Sequence, residues 1–443
     1  MADDGNGDDE IPPGTAEEIM AIIMAKLGMA PNRRPIATPA TVTAKSDANA
    51  SEVPKTAEVF EYEFVEKQQK FAFEFGNHLL MKNEMVTKNL FYCPYVIFNI
   101  MISTLMINKL RSIENWPFLK LPKDWKESEI ESKMVSLHKA IIDANRHLIY
   151  HAHVNYIDNA VDLSTENGQR LENISKQIGC TISRQNLQEN PETLVATIHE
   201  DIKRITENRV DQVITQTTIK PNTKFLLANA IQFYGYWSQE FSSFTETSFT
   251  TVDNSGAVST IPVTMMTVKG YFNNHFADEI KCQIVQLPYE ASDLSMLVVV
   301  PDKERKLAEL SVLCDSSTFF EVLANMKKEL IEVSIPKFAL DTKQFSVPDL
   351  QDVELAHNAV IVVDSKGSSV TNESTEIKNA LRTRVALTKI EANIPFIFLV
   401  IDEMTGIILF YGMLSDPREG LEICAQRDIP ENEVNDMLKI AQS

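Results

Sequence analysis

A long polar segment lies between apolar runs in the last hundred residues of the chain. The apolar run 359–363 precedes this segment, and the runs 394–401 and 407–411 follow it. Short apolar runs of this kind favour buried strands. About 26 residues separate them, with Ser, Thr, Asn, Glu, Lys and two Arg but almost no aromatic side chain. A structureless loop of that length in a compact domain is usually functional, so we expect an exposed loop with a task of its own.

The rest of the chain divides into one large domain and two acidic ends. With 443 residues and 44% apolar side chains, it could hold two average domains or one large domain of about 360 residues with tails. Residues 1–18 contain seven acids and no base, and residues 30–56 are rich in Ala, Thr, Pro and Ser. Both compositions are typical of disorder. We predict a disordered acidic extension over residues 1–58, a globular domain over 59–417 and an acidic tail over 418–443.

A short apolar helix is predicted within the extension. Thr15-Ala16-Glu17-Glu18 matches a capping box, apolar residues follow it, and Gly28 ends the pattern. The acidic start is unlike that of an export signal. We expect a helix that docks or forms transiently, with a vestigial export signal as the alternative.

The net charge of −20 restricts the partners of the chain. Nothing in such a chain offsets phosphate repulsion, so we expect no nucleic-acid partner. Anionic membrane surfaces and sulfated polysaccharides are disfavoured for the same reason. No stretch of 18 uninterrupted apolar residues occurs, and we predict no membrane span.

The five cysteines are scattered and show no CxxC spacing. This pattern indicates mostly free thiols rather than a disulfide framework or a zinc site, although one disulfide is compatible with it. His147 and His151 are spaced to share one face of a helix, a geometry that can bind a metal. No Glu lies between them in an HExxH pattern and no third ligand is evident, so we expect a solvated helix face and no metal. No hydrolase, P-loop or dinucleotide motif occurs, and we predict neither an enzyme nor a cofactor.

The periodicity of the apolar residues changes near Pro221. Helical patterns extend from about residue 59 to about residue 215, including an almost wholly apolar helix over 91–106 bounded by Pro94. Strand patterns dominate after Pro221. Helices first and strands later predict an α+β fold with segregated elements.

Five segments resemble, in the right order, the signature segments of the serpins, a family of serine-protease inhibitors. The first is the pattern Asn-Ala-x-x-Phe-x-Gly-x-Trp, present here as 229–237. The others are Val-Thr-Met-Met at 263–266, Leu-Pro-Tyr at 287–289 with the apolar run 295–301, Ile-Pro-Lys-Phe at 335–338, and the C-terminal runs described above. The resemblance implies a large mixed central sheet, about eight helices and an exposed reactive-centre loop.

In this family a protease cleaves the loop, which then inserts into the central sheet and carries the acylated protease with it. The resemblance places the hinge of that movement at Gly367, Ser368, Ser369 and Val370. The scissile bond would follow Leu381, Arg382 or Arg384. An Arg there suits a trypsin-like serine protease with an acidic pocket. The alternative is that the two Arg side chains simply keep an exposed loop soluble.

The hinge departs from the inhibitory members of the family, which carry a run of small residues there. Here the run 368–378 includes Asn372, Glu376 and Lys378, and alternate side chains of an inserted strand face inward. Burying an unpaired charge costs several kcal/mol, although Glu376 and Lys378 could pair. Asn372 is also a glycosylation candidate, as are Asn49 and Asn173, and a glycan on Asn372 would block insertion.

The family also implies a latch, or shutter, beneath the sheet, in which Asn229 and His357 share a hydrogen bond. Two serines that the family places nearby are absent, because this chain has Cys93-Pro94-Tyr95-Val96. The interval from Phe338 to His357 also lacks about 20 residues that usually include a helix in the family. These departures suggest a divergent member with an impaired switch.

Two functions follow from the resemblance. We expect a non-inhibitory binding, carrier or substrate-like protein, with a suicide inhibitor of a trypsin-like protease, baited by Arg384 or Arg382, as the alternative. The family suggests a monomer and an extracellular glycoprotein, with a cytoplasmic location as the alternative because no clear signal peptide is seen.

Overall fold

A computed structural model describes residues 57–82, 89–107, 119, 121–122, 124–188, 190–208, 210, 213–215, 218–252, 257–302, 316–343, 353–366 and 387–418. The predicted N-terminal helix, the acidic tail beyond Arg418 and most of the polar loop lie outside this set. So do the following candidate residues: Asn49, Gly367, Ser368, Ser369, Val370, Asn372, Leu381, Arg382 and Arg384.

The described residues form six α-helices, where about eight were predicted. Asn190 caps one helix by accepting a hydrogen bond from the Glu192 N–H, and Pro191 occupies its first turn. Thr165 caps another through the Gly168 N–H. The six helices are α1 (Ala57–Lys82), α2 (Pro94–Ile107), α3 (Glu127–Leu137), α4 (Glu166–Gln177), α5 (Pro191–Ile205) and α6 (Ser316–Asn325).

In the described ranges, fourteen strands form two sheets. In chain order they are β1 (Leu90–Tyr92), β2 (Ile149–Asp158), β3 (Cys180–Gln185), β4 (Phe225–Phe233), β5 (Ser243–Val252), β6 (Val258–Ala277), β7 (Cys282–Pro288), β8 (Leu294–Pro301), β9 (Lys327–Pro336), β10 (Phe338–Lys343), β11 (Val353–Val363), β12 (Thr388–Glu391), β13 (Phe396–Asp402) and β14 (Ile408–Leu414).

The five-stranded sheet has the order β10-β11-β4-β2-β3. β11 runs parallel to β4, and β3 runs parallel to β2, whereas the other two pairs are antiparallel. This is the mixed central sheet predicted from the sequence. The nine-stranded sheet has the order β1-β14-β13-β8-β7-β6-β9-β12, with β5 added to β6.

The main core surrounds α2, which begins at Pro94, whereas the sequence predicted helix from residue 91 and residues 91–92 belong to β1. Ile97, Phe98 and Ile102 of this helix are fully buried. All of its side chains described, from Pro94 to Ser103, are buried, which explains why the helix is almost wholly apolar rather than amphipathic. Aromatic rings of β1, β13 and β14 stack nearby, with Phe91 lying 5.3 Å from Phe410 and 5.9 Å from Phe398 between ring centroids.

The prediction of helical patterns from about residue 59 to about residue 215 is wrong for three stretches, which form β1, β2 and β3. The predicted solvated helix face with His147 and His151 is therefore also wrong. His151 lies within β2 and is partly buried, and His147 precedes the strand. In β2 the side chains of Ala152, Val154 and Tyr156 are buried with an apolar cluster on one face of the sheet. The side chains of β2 therefore alternate between the two faces of the sheet. Pairing with neighbouring strands stabilises this strand in preference to the helix that the histidine spacing suggested.

β10 pairs directly with β11 as antiparallel neighbours from Phe338↔Val363 to Lys343↔Asn358. The described part of the interval between Phe338 and His357 contains these two strands and no helix. Residues 344–352 lie outside the described set. β10 thus covers the edge of β11 that is opposite to β4.

Candidate functional site

The candidate site is the boundary between β4 and β11, here called the seam. The two strands are parallel and paired in register from Phe225↔Val353 to Phe233↔Ile361. All nine residues of β4 and all eleven of β11 are buried. Burial on both faces explains the apolar runs, since strands covered on both sides do not alternate with polar residues. A strand could enter the sheet at the seam only if β4 and β11 separated.

The seam has two faces with different covers. On one face Leu227, Ile231 and Leu355 join the main core that surrounds α2. On the other face Ala228, Ala356 and Val360 pack in a cluster that includes Leu194, Ile198 and Ile202 of α5. We call these the core face and the α5 face. Because both are covered, a charged side chain in the middle of the seam would be buried on either face.

His357 and Asn229 occupy the middle of the core face. They are register partners across the seam, and Nδ1 of His357 is hydrogen-bonded to Oδ1 of Asn229. Nε2 of His357 accepts a hydrogen bond of 3.0 Å from the backbone N–H of Cys93. The imidazole is therefore neutral with its proton on Nδ1. Burial lowers the pKa of His357 to about 3, which keeps this state at neutral pH.

The absence of the two serines does not remove the hydrogen bond between this segment and His357. Cys93 reaches His357 through its backbone, so the side chain at this position is not needed for that hydrogen bond. Burial raises the pKa of the Cys93 thiol to about 12, and the thiol is neutral. The expected contact between Asn229 and His357 is present, and its action as a latch stays a prediction.

A second group of contacts holds the end of the seam that leads into the loop. Nε1 of Trp237 donates to the Asp364 carbonyl oxygen (2.8 Å), and the Trp237 backbone N–H donates to the Lys366 carbonyl oxygen (3.1 Å). The Tyr234 hydroxyl donates to Oδ2 of Asp364 (2.9 Å). The indole also stacks on Tyr289 with ring centroids 4.7 Å apart. These contacts fix the residues immediately before the predicted hinge.

An ion pair closes the opposite end of the seam. Nζ of Lys220 lies 2.7 Å from Oε1 of Glu354, whose side chain is almost fully buried while the lysine is half exposed. Removing the lysine would leave a buried carboxylate without its cation, which is costly. Contacts thus hold the seam closed at both ends and in the middle.

Sequence reasoning did not assign roles to Trp237, Tyr234 and Asp364. Trp237 was part of the family pattern, but its partner lies 127 residues further along the chain. His153 was also missed, because the spacing of His147 and His151 had been assigned to a helix. Alternation along 149–157 was the available signal, since it places His151 and His153 on one face of a strand.

Asn173 is the one glycosylation candidate among the described residues. It lies exposed on α4, whereas Ser175 of the same sequon is buried. Its modification stays a prediction. The described cysteines, Cys93, Cys180 and Cys282, are buried. Within the described ranges, no group of side chains could hold a metal ion, and no helix is long and apolar enough to cross a membrane.

Comparison with known proteins supports the resemblance. The family model described as Serpin (serine protease inhibitor) matches residues 66–355 and 344–417. An uncharacterized serpin-like protein of Methanosarcina acetivorans is 25% identical over 401 residues, covering 82% of this chain and 88% of the relative. Iripin-8 of Ixodes ricinus is 30% identical over 222 residues, which is 44% of this chain and 55% of that protein.

Solved structures show the same fold. Human thyroxine-binding globulin in complex with its ligand has a TM-score of 0.67 at 19% identity, covering 81% of this chain and 100% of that one. Uncleaved ovalbumin has a TM-score of 0.66 at 18% identity, with 80% and 99% covered. The matching family is described as one of serine protease inhibitors rather than of enzymes, so this chain is not an enzyme. From the motifs, the mixed central sheet and the match over most of its length, the chain belongs to the serpin family.

Proposed function

We propose that this serpin is non-inhibitory: the segment after Lys366 is cut as an ordinary substrate, and the fold serves as a binding or carrier scaffold. The observation that carries the proposal is the double burial of the seam. Trapping a protease requires the cut loop to insert there before the acyl-enzyme is hydrolysed. The rate of insertion depends on what the loop must bury.

An inserted strand would have to bury charge on both faces. The nine register pairs of the seam call for a strand of about nine residues, and residues 369–377 supply that number. Glu373 and Glu376 are three positions apart, so they would point to opposite faces. One carboxylate would enter the core face and the other the α5 face. Each buried ion costs several kcal/mol unless it is paired.

The chain offers only partial compensation for these charges. Lys378 lies two positions from Glu376 and would share its face, which could pair one carboxylate. Glu373 would have only Thr371 and Thr375 of the loop beside it on its own face. The three groups of contacts that hold the seam closed add to the barrier to insertion, because separating β4 from β11 breaks or strains each of them.

The alternative function is an inhibitor of a trypsin-like serine protease with Arg384 or Arg382 as the bait residue. Two findings favour it. The matching family is named for serine-protease inhibition, and the parallel pairing of β4 and β11 leaves a place where an antiparallel strand could be inserted. Inhibition would require the carboxylates of Glu373 and Glu376 to be paired during insertion.

Thermal unfolding before and after loop cleavage tests the proposal. The protein is cut with trypsin, and mass spectrometry identifies product cleaved only after Arg382 or Arg384. We expect the unfolding midpoint to stay within a few degrees of the uncut value. A rise of tens of degrees, far beyond the shift that ~1 kcal/mol produces, would show insertion and contradict the proposal.

A matched variant shows whether the loop residues are responsible. Asn372, Glu373, Glu376 and Lys378 are replaced together by Ala, which leaves both Arg residues and the seam unchanged. We expect cleavage of this variant to raise the midpoint by tens of degrees. If neither protein gains stability, the obstacle lies in the seam rather than in the loop.

A further inference from the structure

A row of four histidines, three buried and one partly buried, runs beneath the central sheet on its core face. His357 of β11 is bonded to Asn229 of β4, and Asn229 is the register partner of His153 on β2. The rings of His153 and His151 have centroids 4.7 Å apart. The ring of His138, in the π-helical turn that follows α3, lies 5.9 Å from that of His151. We call His138, His151, His153 and His357 the imidazole row.

The row carries little compensating negative charge. Asp143 lies 3.8 Å from Nε2 of His138, at the end of the row furthest from the seam, and Arg146 lies close to the same end. The neighbours of His153 and His357 on β4 and β3 and at the start of α2 are Asn229, Cys180 and Cys93. Burial raises the pKa of both thiols to about 12, so neither supplies an anion.

The polar atoms of the row are also incompletely bonded. Nδ1 of His151, Nε2 of His153 and Nδ2 of Asn229 are buried and have no hydrogen-bond partner among the described residues. Unmet hydrogen-bonding capacity in a buried site raises its free energy. It also means that no partner is in place to stabilise an imidazolium at His151 or His153.

Protonation would act against the closed seam in two ways. A proton on Nε2 of His357 would face the Cys93 N–H, which is also a donor, and that hydrogen bond would be lost. Charges on His151 and His153 would repel each other at 4.7 Å between ring centroids, because His153 is buried and His151 is partly buried. Separation of β2, β4 and β11 would relieve both effects by admitting solvent.

We infer that the imidazole row is an acid-sensitive lock, which holds β2, β4 and β11 together at neutral pH and loosens the seam in mild acid. The inference concerns the strands alone and goes beyond the proposed function. It holds whether or not the loop traps a protease.

The direction in which pH changes the opening of the seam follows from proton linkage. Burial lowers the pKa of His151 to about 4 and that of His357 to about 3, below the ordinary value near 6.5 that an open, solvated state would restore. The open state therefore binds more protons, and opening becomes more favourable as the pH falls below 6.5. For a group like His151 the opening constant should rise up to about 20-fold between pH 7 and pH 5.

Hydrogen exchange of backbone amides measures this opening directly. Exchange of the full chain is followed at pH 7 and pH 5 and corrected for the intrinsic pH dependence of amide exchange. We expect protection of β4 and β11 to fall by at least tenfold more than protection of β13 and β14 in the other sheet. An equal change in both sheets, or none, would overturn the inference even without any variant.

Variants then assign the effect to the histidines. The double change His151→Gln and His153→Gln should reduce the preferential loss of protection in β4 and β11 at pH 5, and the loss that remains is the part that His357 contributes. The matched control is His275→Gln in β6 of the other sheet, which should behave like the unmodified protein. If the double variant does not fold, His138→Gln, at the end of the row near Asp143, should reduce the effect. An undiminished effect in the folded variants would also contradict the inference.

Discussion

The backbone N–H of Cys93 donates to Nε2 of His357 over 3.0 Å, and this bond joins the start of α2 to the middle of the seam. The other ring nitrogen of His357 is bonded to Asn229 on the facing strand. One imidazole therefore connects a core helix with both strands that would have to separate. Any change at these residues affects the stability of the fold and the opening of the sheet together.

Asn229→Ala should destabilise the protein by about 1–3 kcal/mol, because it leaves the Nδ1–H of His357 buried without its acceptor. The measurement is the free energy of unfolding in urea at pH 7. Asn325→Ala at the exposed end of α6 is the control and should change it by less than about 0.5 kcal/mol. Equal effects of the two substitutions would mean that the bond beneath the seam contributes nothing.

Trp237→Phe should loosen the end of the seam next to the loop. The change keeps an aromatic ring against Tyr289 but removes the Nε1–H that donates to the Asp364 carbonyl. We expect a loss of about 1 kcal/mol in stability and a larger relative increase in hydrogen exchange at residues 361–366. Unchanged exchange there would show that the indole hydrogen bond does not hold this segment.

Gly235→Ala should destabilise the protein through a steric clash rather than a lost hydrogen bond. A Cβ atom at Gly235 would lie 2.4 Å from the Tyr289 ring, which stacks on Trp237. Overpacking of this kind costs about 1–3 kcal/mol. The double variant with Tyr289→Leu should cost less than the sum of the two single changes. Strict additivity in urea unfolding would argue against the clash.

Global stability should fall as the pH drops from 6.5 toward 4. The pKa values of His357 and His151 are lowered to about 3 and about 4 by burial, so the stability they contribute is present above pH 6.5 and is lost in acid. Burial raises the pKa of Asp402 to about 6, which has the opposite sign and offsets part of the loss. Asp402→Asn should therefore steepen the acid decline. Urea midpoints at half-unit pH steps give the slopes, and a flat profile in both proteins would refute the prediction.

Much of the central sheet could be predicted from the sequence because both of its middle strands carry unmistakable apolar runs. Asn229 and His357 were paired through the family pattern, and the structure places them in contact. β2 was missed since its histidines fit a helical spacing as well as a strand spacing, and only pairing with β4 decides between them. The contact of Trp237 with Asp364 depends on how the folded strands meet, which local sequence does not encode.

The predicted loop bears on function through the charge of its side chains. Its charges at Glu373 and Glu376 are visible in the sequence, but their consequence depends on both faces of the seam being buried. Alternation alone suggested that only some loop side chains would turn inward. The α5 cover makes the other set costly as well. The structure thus strengthens the argument for an impaired switch.

Incubation of the intact protein with trypsin is the most direct test of this account. Because insertion would have to bury Glu373 and Glu376 while hydrolysis of the acyl-enzyme would not, we expect a cleaved loop, fully active trypsin and no protease complex that survives SDS. The variant with Ala at 372, 373, 376 and 378 should shift the outcome toward trapping. An SDS-stable complex formed by the unmodified protein in high yield would contradict the non-inhibitory function and restore the inhibitor.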